Sequence, residues 1–319
     1  MKIKQLLVAL GIAACVAPAH AAINLGNYQV TGNYALDTLS DMGLEASAVT
    51  YARDRGSLFV VGDEGLGVVE ISRTGMTIGM MAFDWTGTGS SNSDAEGLTY
   101  LGNGQLVVVD ERPQIAYQFS YSAGSTLALN NQPKVAITGS TVNVGNVGTE
   151  GISYDPRNGS FVSVKQDNPA ALLTGNLTFA VGGGTSTMMT AFSGTQSVFG
   201  LNSLSDVQTL SPIDSLAGTS DANNLLVLSL DSRKLVELDR LTGNVLSSFD
   251  LSGLTMQAIE GVTVDELGNI YLVAEDSGTP SSRLFVLSSS VAPVPVPAAA
   301  WLMGSALFGL GAFAKRKRQ

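Results

Sequence analysis

Glu96-Gly97-Leu98-Thr99-Tyr100, followed by Val107-Val108-Val109-Asp110-Glu111-Arg112, is the stretch whose reading decides the fold. The pattern returns along the chain. Glu150-Gly151-Ile152-Ser153-Tyr154 leads into Phe161-Val162-Ser163-Val164, and Glu260-Gly261-Val262-Thr263-Val264 leads into Ile270-Tyr271-Leu272-Val273-Ala274-Glu275. Looser copies run from Glu45-Ala46-Ser47-Ala48-Val49-Thr50-Tyr51 and from Asp206-Val207-Gln208-Thr209-Leu210. Starts at 45, 96, 150, 206 and 260 give steps of 51, 54, 56 and 54 residues. Repeats of about 40–55 residues, each built of short β-branched runs, mark a β-propeller.

The connections fit hairpins. Leu101-Gly102-Asn103-Gly104-Gln105, Asp155 to Ser160 and Glu266-Leu267-Gly268-Asn269 carry the Asn and Gly residues that tolerate positive φ. A lone blade cannot bury both faces of its sheet, so the units must stack around an axis. The last repeat, Glu260 to Ser290, is short by about the length of residues 22–44, which hold the strand-like Asn27-Tyr28-Gln29-Val30-Thr31. The sequence therefore predicts an all-β, five-bladed propeller whose N-terminal strand completes the last blade and removes an open edge. Thr86 to Ser93, Gly182 to Gly200 and Ser211 to Ala222 read as polar insertions in surface loops.

Residues 1–21 read as a signal peptide: Lys2 and Lys4, an apolar Leu6–Ala14 run, and Ala19-His20-Ala21 with cleavage between Ala21 and Ala22. The rival reading makes Cys15 a lipidated lipoprotein cysteine. Cleavage after Ala21 removes His20 and Cys15, the only histidine and cysteine. The exported domain, residues 22–290, then has no disulfide, no Ser-His-Asp triad and no His/Cys zinc site. Six of the 17 basic residues lie in the terminal segments, which leaves 11 against 27 acidic ones and a net charge of −16. Such a surface repels nucleic acid and suits divalent cations or cationic partners.

Taken together, Asn27 to Thr31, Gly97 to Arg112, Glu150 through Pro169, Asn224 to Arg233 and Glu260 through Glu275 resemble the SdiA-regulated (YjiK-like) family over about residues 27–288. The resemblance implies a five-bladed propeller, distantly similar to NHL-type propellers, with a calcium site and no established catalysis. At the other end, Val294-Pro295-Val296-Pro297-Ala298, an apolar run over 298–314 and Lys315-Arg316-Lys317-Arg318 resemble a PEP-CTERM sorting signal (the VPLPA-like variant) within residues 291–319. That resemblance implies a transmembrane helix, an exosortase-type partner, and a Gram-negative cell envelope from which the processed protein reaches the surface or medium.

In a propeller the first strand of each blade starts on the face where the second strand ends. Glu45, Glu96, Glu150, Asp206 and Glu260 should therefore meet at one mouth of the ring. Asp63-Glu64, Asp110, Glu111, Arg112, Lys165, Asp231, Arg233 and Glu275 should stand around them. Several carboxylates at close quarters need a cation or raised pKa values. Ca²⁺, with its 6–8 oxygen ligands and irregular geometry, fits such a ring. The bland alternative has these carboxylates capping backbone amides of neighbouring blades. Three functions stay open: a calcium-binding, non-enzymatic envelope protein that holds a surface ligand such as polysaccharide; a calcium-dependent hydrolase of the lactonase or phytase-like propeller type; and a purely structural matrix component.

Overall fold

In the computed structural model, which describes residues 23–36, 39–90, 94–194, 199–276 and 281–291, the repeats form five antiparallel blades. Blade 1 is Ala46–Ala52, Ser57–Gly62, Gly67–Ile71 and Thr77–Asp84; blade 2 is Ala95–Gly102, Gln105–Asp110, Ile115–Ser120 and Lys134–Ala136. Blade 3 is Thr149–Asp155, Ser160–Lys165, Ala171–Gly175 and Met189–Ser193; blade 4 is Asp206–Thr209, Leu225–Ser229, Lys234–Leu238 and Val245–Asp250. Blade 5 is Ile259–Val264, Ile270–Ala274 and Arg283–Ser289, completed by Tyr28–Ala35 from the N-terminal side. That strand runs antiparallel to Arg283–Ser289, from the Tyr28/Ser289 pair to the Ala35/Arg283 pair. The closing strand is where the period placed it. Among the described residues the only helical segments are short 3₁₀ turns.

Two loops do more than the sequence suggested. The Gly182–Gly200 stretch is not all insertion. Thr185–Ser186 folds back on Leu177–Thr178, and Met189–Ser193 supplies the outer strand of blade 3. The connection after Ser120 reaches back to blade 1, where Thr126–Ala128 adds a fifth, parallel strand beside Thr77–Asp84. This covers the outer edge of that blade.

The inner strands are stitched together by one recurring contact. Thr50 Oγ1 accepts from the Tyr100 backbone N–H (3.1 Å), Thr99 Oγ1 from Tyr154 (3.0 Å), Ser153 Oγ from Thr209 (3.0 Å), and Thr263 Oγ1 from Tyr51 (3.1 Å). Between blades 4 and 5, Thr263 Oγ1 donates instead to Gln208 Oε1 (3.1 Å). In four of the five repeats the hydroxyl thus satisfies an inner-strand amide of the next blade.

This ladder fixes the true register of the repeats. Thr50, Thr99, Ser153, Gln208 and Thr263 are equivalent, so the position held by Glu96, Glu150 and Glu260 is held by Ser47 in blade 1 and Ser205 in blade 4. Glu45 lies two residues before that position and Asp206 one after it. The expectation of five equivalent carboxylates is corrected to three. The physical reason lies in the bulges. Strand pairing skips a residue between Ala95 and Gly97, between Ile259 and Gly261, and between Ala46 and Ala48, and skips two between Thr149 and Ile152. A bulge re-aims the residue it releases, here towards the axis of the ring.

The glycine after each glutamate has a steric cause. A Cβ at Gly97 would stand 2.4 Å from the Glu150 carbonyl oxygen, and one at Gly261 would stand 2.9 Å from that of Ser47. Inner strands of successive blades approach too closely there for a side chain. The aliphatic clusters between blades then form the core, for example Leu226, Leu228, Val262, Leu272 and Phe285 between blades 4 and 5.

Candidate functional site

The front mouth, where first strands start and second strands end, gathers carboxylates in the protein interior. Asp63, Asp94 and Glu96 each bring an oxygen within 4.8 Å of the others. Asp63 follows the second strand of blade 1, and its N–H donates to the Glu45 carbonyl (3.2 Å) and to Ser47 Oγ (3.1 Å). Asp94 precedes the first strand of blade 2 and is fully buried. It lies 3.1 Å from Arg112 Nη1 and accepts the Arg112 backbone N–H (3.2 Å). Glu96 occupies the bulge. It is half-buried there.

The electrostatics follow from this crowding. Burial, then the hydrogen bond and charge of Asp94, push the Asp63 carboxyl up to about 7, and Arg112 pulls it back only in part. Glu96 is raised well above the usual carboxylate range by burial and then by Glu260, Asp63, Glu111 and Asp94. Burial raises Glu150 likewise, followed by the charges of Glu96, Glu260 and Glu111. For Glu260 the second cause is Glu275, which both repels it and shares a hydrogen bond with it. Asp110 is pushed up to about 8, by burial and then by Asp94. Glu111 is pushed up to about 7 by burial, although the Gly148 N–H (2.8 Å) offsets this. Asp110 Oδ2 and Glu111 Oε2 are buried and have no hydrogen-bond partner among the described residues. Buried polar atoms left in this way ask for a water or an ion.

The other expected residues stand outside the Asp63–Asp94–Glu96 triad. Glu45 sits at the rim in a left-handed conformation (φ 52°), raised by burial and by its neighbours Glu275, Glu64 and Asp276. Lys165 donates to the Asp167 carbonyl, with Glu111 as its other anionic neighbour. Asp206 is buried but turned to the backbone: Oδ1 accepts its neighbour Val207 N–H and Oδ2 accepts Val262 N–H in blade 5, both at 2.7 Å. Asp231 is exposed on the turn after Ser229, and Arg233 donates to the Thr255 carbonyl and acts on Asp250 of the outer strand. Asp206, Asp231 and Arg233 therefore do not point their charged groups into the cluster. Asp94 is the residue that sequence reasoning missed. Its only signal is the Asp94-Ala95-Glu96 spacing at the end of a Gly/Ser-rich loop.

The donor set is all oxygen and mostly carboxylate, which selects a hard cation over a soft one. Among the described residues Arg112, with Lys165 beside Glu111, is set against Asp63, Asp94, Glu96, Asp110, Glu111 and Glu260. The two unpartnered oxygens of Asp110 and Glu111 fit the same need for positive charge. A divalent cation would supply it, held by Asp63, Asp94 and Glu96.

The family model described as SdiA-regulated matches residues 20–279. The chain belongs to the SdiA-regulated family. Among solved structures it is similar to the glutaminyl cyclase of Myxococcus xanthus, at 12% identity and a TM-score of 0.51 over 82% of this chain and 95% of that one. A luciferin-regenerating enzyme shares 8% identity at a TM-score of 0.49, over 83% of this chain and 98% of that one. At such identities the likeness to the cyclase speaks for the propeller fold alone.

The expected signal peptide with its Ala21/Ala22 cleavage, and the sorting motif Val294 to Ala298 with its apolar run, lie outside the described residues. Among the described residues no helix is long and apolar enough to cross a membrane.

Proposed function

We propose that this SdiA-regulated propeller is an exported calcium-binding protein that acts by holding a ligand in the cell envelope rather than by turning one over. The observation that carries the calcium reading is the convergence of Asp63, Asp94 and Glu96 within 4.8 Å. Asp94 is buried and Asp63 and Glu96 are partly so; the three are mutually repelling and only partly neutralised, a state that a bound cation relieves. Glu260, Glu150 and Glu111 extend the negative field around the centre, and Arg112 orients Asp94. Bound there, Ca²⁺ would lock the start of blade 2 to the end of blade 1's second strand and stiffen the front mouth. Export rests on the 1–21 leader, and delivery on the 294–298 motif acting with an exosortase-type enzyme.

Metal analysis of the purified domain, followed by calcium calorimetry, tests the centre. Stoichiometric calcium that is lost in Glu96→Gln and Asp63→Asn supports it. A metal-free protein that takes up no calcium refutes it. The hydrolase reading would place a substrate oxygen on the same ion, and calcium-dependent turnover of a lactone or phosphomonoester would establish it over the binding role.

A further inference from the structure

A second site lies at the opposite end of the ring. Where the first strands finish, a cavity of about 510 Å³ opens to solvent. That is within the range of small-molecule sites, roughly 300–1,000 Å³. Its asymmetry comes from the repeat. The residue after each ladder position is Tyr51, Tyr100 and Tyr154 in blades 1–3, but Thr209 and Val264 in blades 4 and 5. The wall is therefore aromatic on one side and faces Gln208 and Ser211 on the other.

Each tyrosine is backed from within the protein. Phe59 lies nearly parallel to Tyr100 at 5.9 Å, Phe161 packs on Tyr154 at 5.1 Å, and the Arg73 guanidinium covers Tyr51 at 4.8 Å. The Tyr100 hydroxyl is held by the Gly104 N–H (2.7 Å) and by Asp54. The rings are thus fixed before any ligand arrives, which lowers the ordering cost of binding. Among the described residues the lining is neutral overall. Its single cation, Arg53, is already paired with Asp214 at 2.8 Å, and its single acid, Asp54, accepts the Asn103 N–H at 3.0 Å.

From this lining we infer that the rear cavity binds a neutral carbohydrate segment. A sugar ring offers an apolar C–H face and a belt of hydroxyls around it. Tyr100 and Tyr154 take the face, and Gln208, Ser211, Asn103 and Asp54 take the belt. An anionic ligand finds no uncommitted positive charge in the lining. This names a ligand class for the binding role proposed above and rests on that role, but it uses no residue of the metal centre.

The test is calorimetric titration of the folded domain with cellotetraose, maltotetraose, chitotetraose and a galactan oligosaccharide, with oligogalacturonate as the acidic control. Each titration is run in calcium and again in chelator. At least one neutral probe binds in both buffers and binds Glu96→Gln unchanged. Tyr154→Ala weakens it by about tenfold or more, the loss expected for one aromatic platform. Pro156→Trp, at an exposed turn on the cavity wall, blocks it without touching the core and so covers the case in which Tyr154→Ala fails to fold. Two results overturn the inference: no binding of any neutral probe, or binding that Glu96→Gln abolishes while Tyr154→Ala and Pro156→Trp leave it intact. Retained sugar binding in a protein that takes up no calcium would refute the metal centre alone.

Discussion

Removing calcium should lower the melting temperature, and neutralising Glu96 should erase the difference. If Ca²⁺ binds only the folded ring, it stabilises that state by RT ln(1 + [Ca]/Kd), roughly 2.7 kcal/mol at a hundredfold excess over Kd. For a domain of this size each kcal/mol moves the midpoint by about 2–4 °C. The chelated protein should therefore melt roughly 5–10 °C below the calcium-loaded one. Glu96→Gln keeps the volume and removes the charge. In calcium it should lose most of that gain. In chelator it should melt at or above the parent, because it relieves the repulsion among Glu96, Glu260, Asp63 and Glu111. Asp63→Asn should behave alike. Differential scanning fluorimetry of protein verified as metal-free, with calcium and with chelator, reads all six curves. If the carboxylates only cap backbone, chelator does nothing and the substitutions destabilise in both buffers. Identical parent curves with calcium and with chelator would sink the reasoning.

Acidity gives an independent reading of the same cluster. Asp63 and Glu111 near 7 and Asp110 near 8 are raised above their unfolded values, so their contribution is complete in acid and is lost as pH rises through 7–8. The metal-free domain should gain melting temperature from pH 8 to 5.5, and a fall over that range contradicts the crowding. Deleting residues 22–32 removes most of the strand paired with Arg283–Ser289 and bares an edge, so light scattering should report aggregation. At the seam between blades 5 and 1, Arg73 binds the fully buried Asp265 (3.1 Å) and Glu266 (3.0 Å). Arg73→Ala should cost roughly 2–3 kcal/mol, below the range for a fully buried pair because Arg73 is 30% exposed. The exposed Arg53–Asp214 pair should cost under about 1 kcal/mol when broken by Arg53→Ala. Urea melts of the two variants compare them, and equal losses would contradict the difference in burial.

The blade count, the closing strand and the facing of the mouth were legible because they depend on period and on strand direction. A hydrophobic run of fixed spacing leaves little else for the chain to do. The ligand geometry was legible only in part. Glu96, Glu150 and Glu260 announce themselves by the glycine behind them, which the close approach of the next blade demands. Ser47 and Ser205 carry no such mark, and the nearby acids Glu45 and Asp206 drew the register one or two residues away. A bulge shifts one side chain without altering the apolar pattern on either side, so no periodicity reveals it. Asp94 was hidden for the opposite reason: it stands just before its strand, and the Arg112 it meets is 18 residues further along the chain, beyond any local pattern.

That register also explains why the ring holds three glutamates and not five. A further carboxyl at Ser47 or Ser205 would join groups already raised by burial and mutual repulsion, and one cation could not neutralise them all. The chain places its extra acids differently. In blade 1 the charge comes from Asp63, at the end of the second strand, so the cluster of Asp63, Asp94 and Glu96 lies at the seam between blades 1 and 2. In blade 4 the acid stands at the glycine position itself. Asp206 fills the space that the bare Cα of Gly151 leaves, where an added Cβ would come within 2.1 Å of its carboxylate, and its other oxygen takes the Val262 amide. One residue thereby ties blades 3, 4 and 5 where the Thr/Ser hydroxyl ladder is broken by Gln208. The same residue type does two jobs on two sides of the ring. On the Asp63 side the carboxylates face one another and call for a cation. On the Asp206 side the carboxylate is satisfied by amides and calls for none. Asp206→Asn should therefore destabilise the domain equally in calcium and in chelator, which separates it from Glu96→Gln.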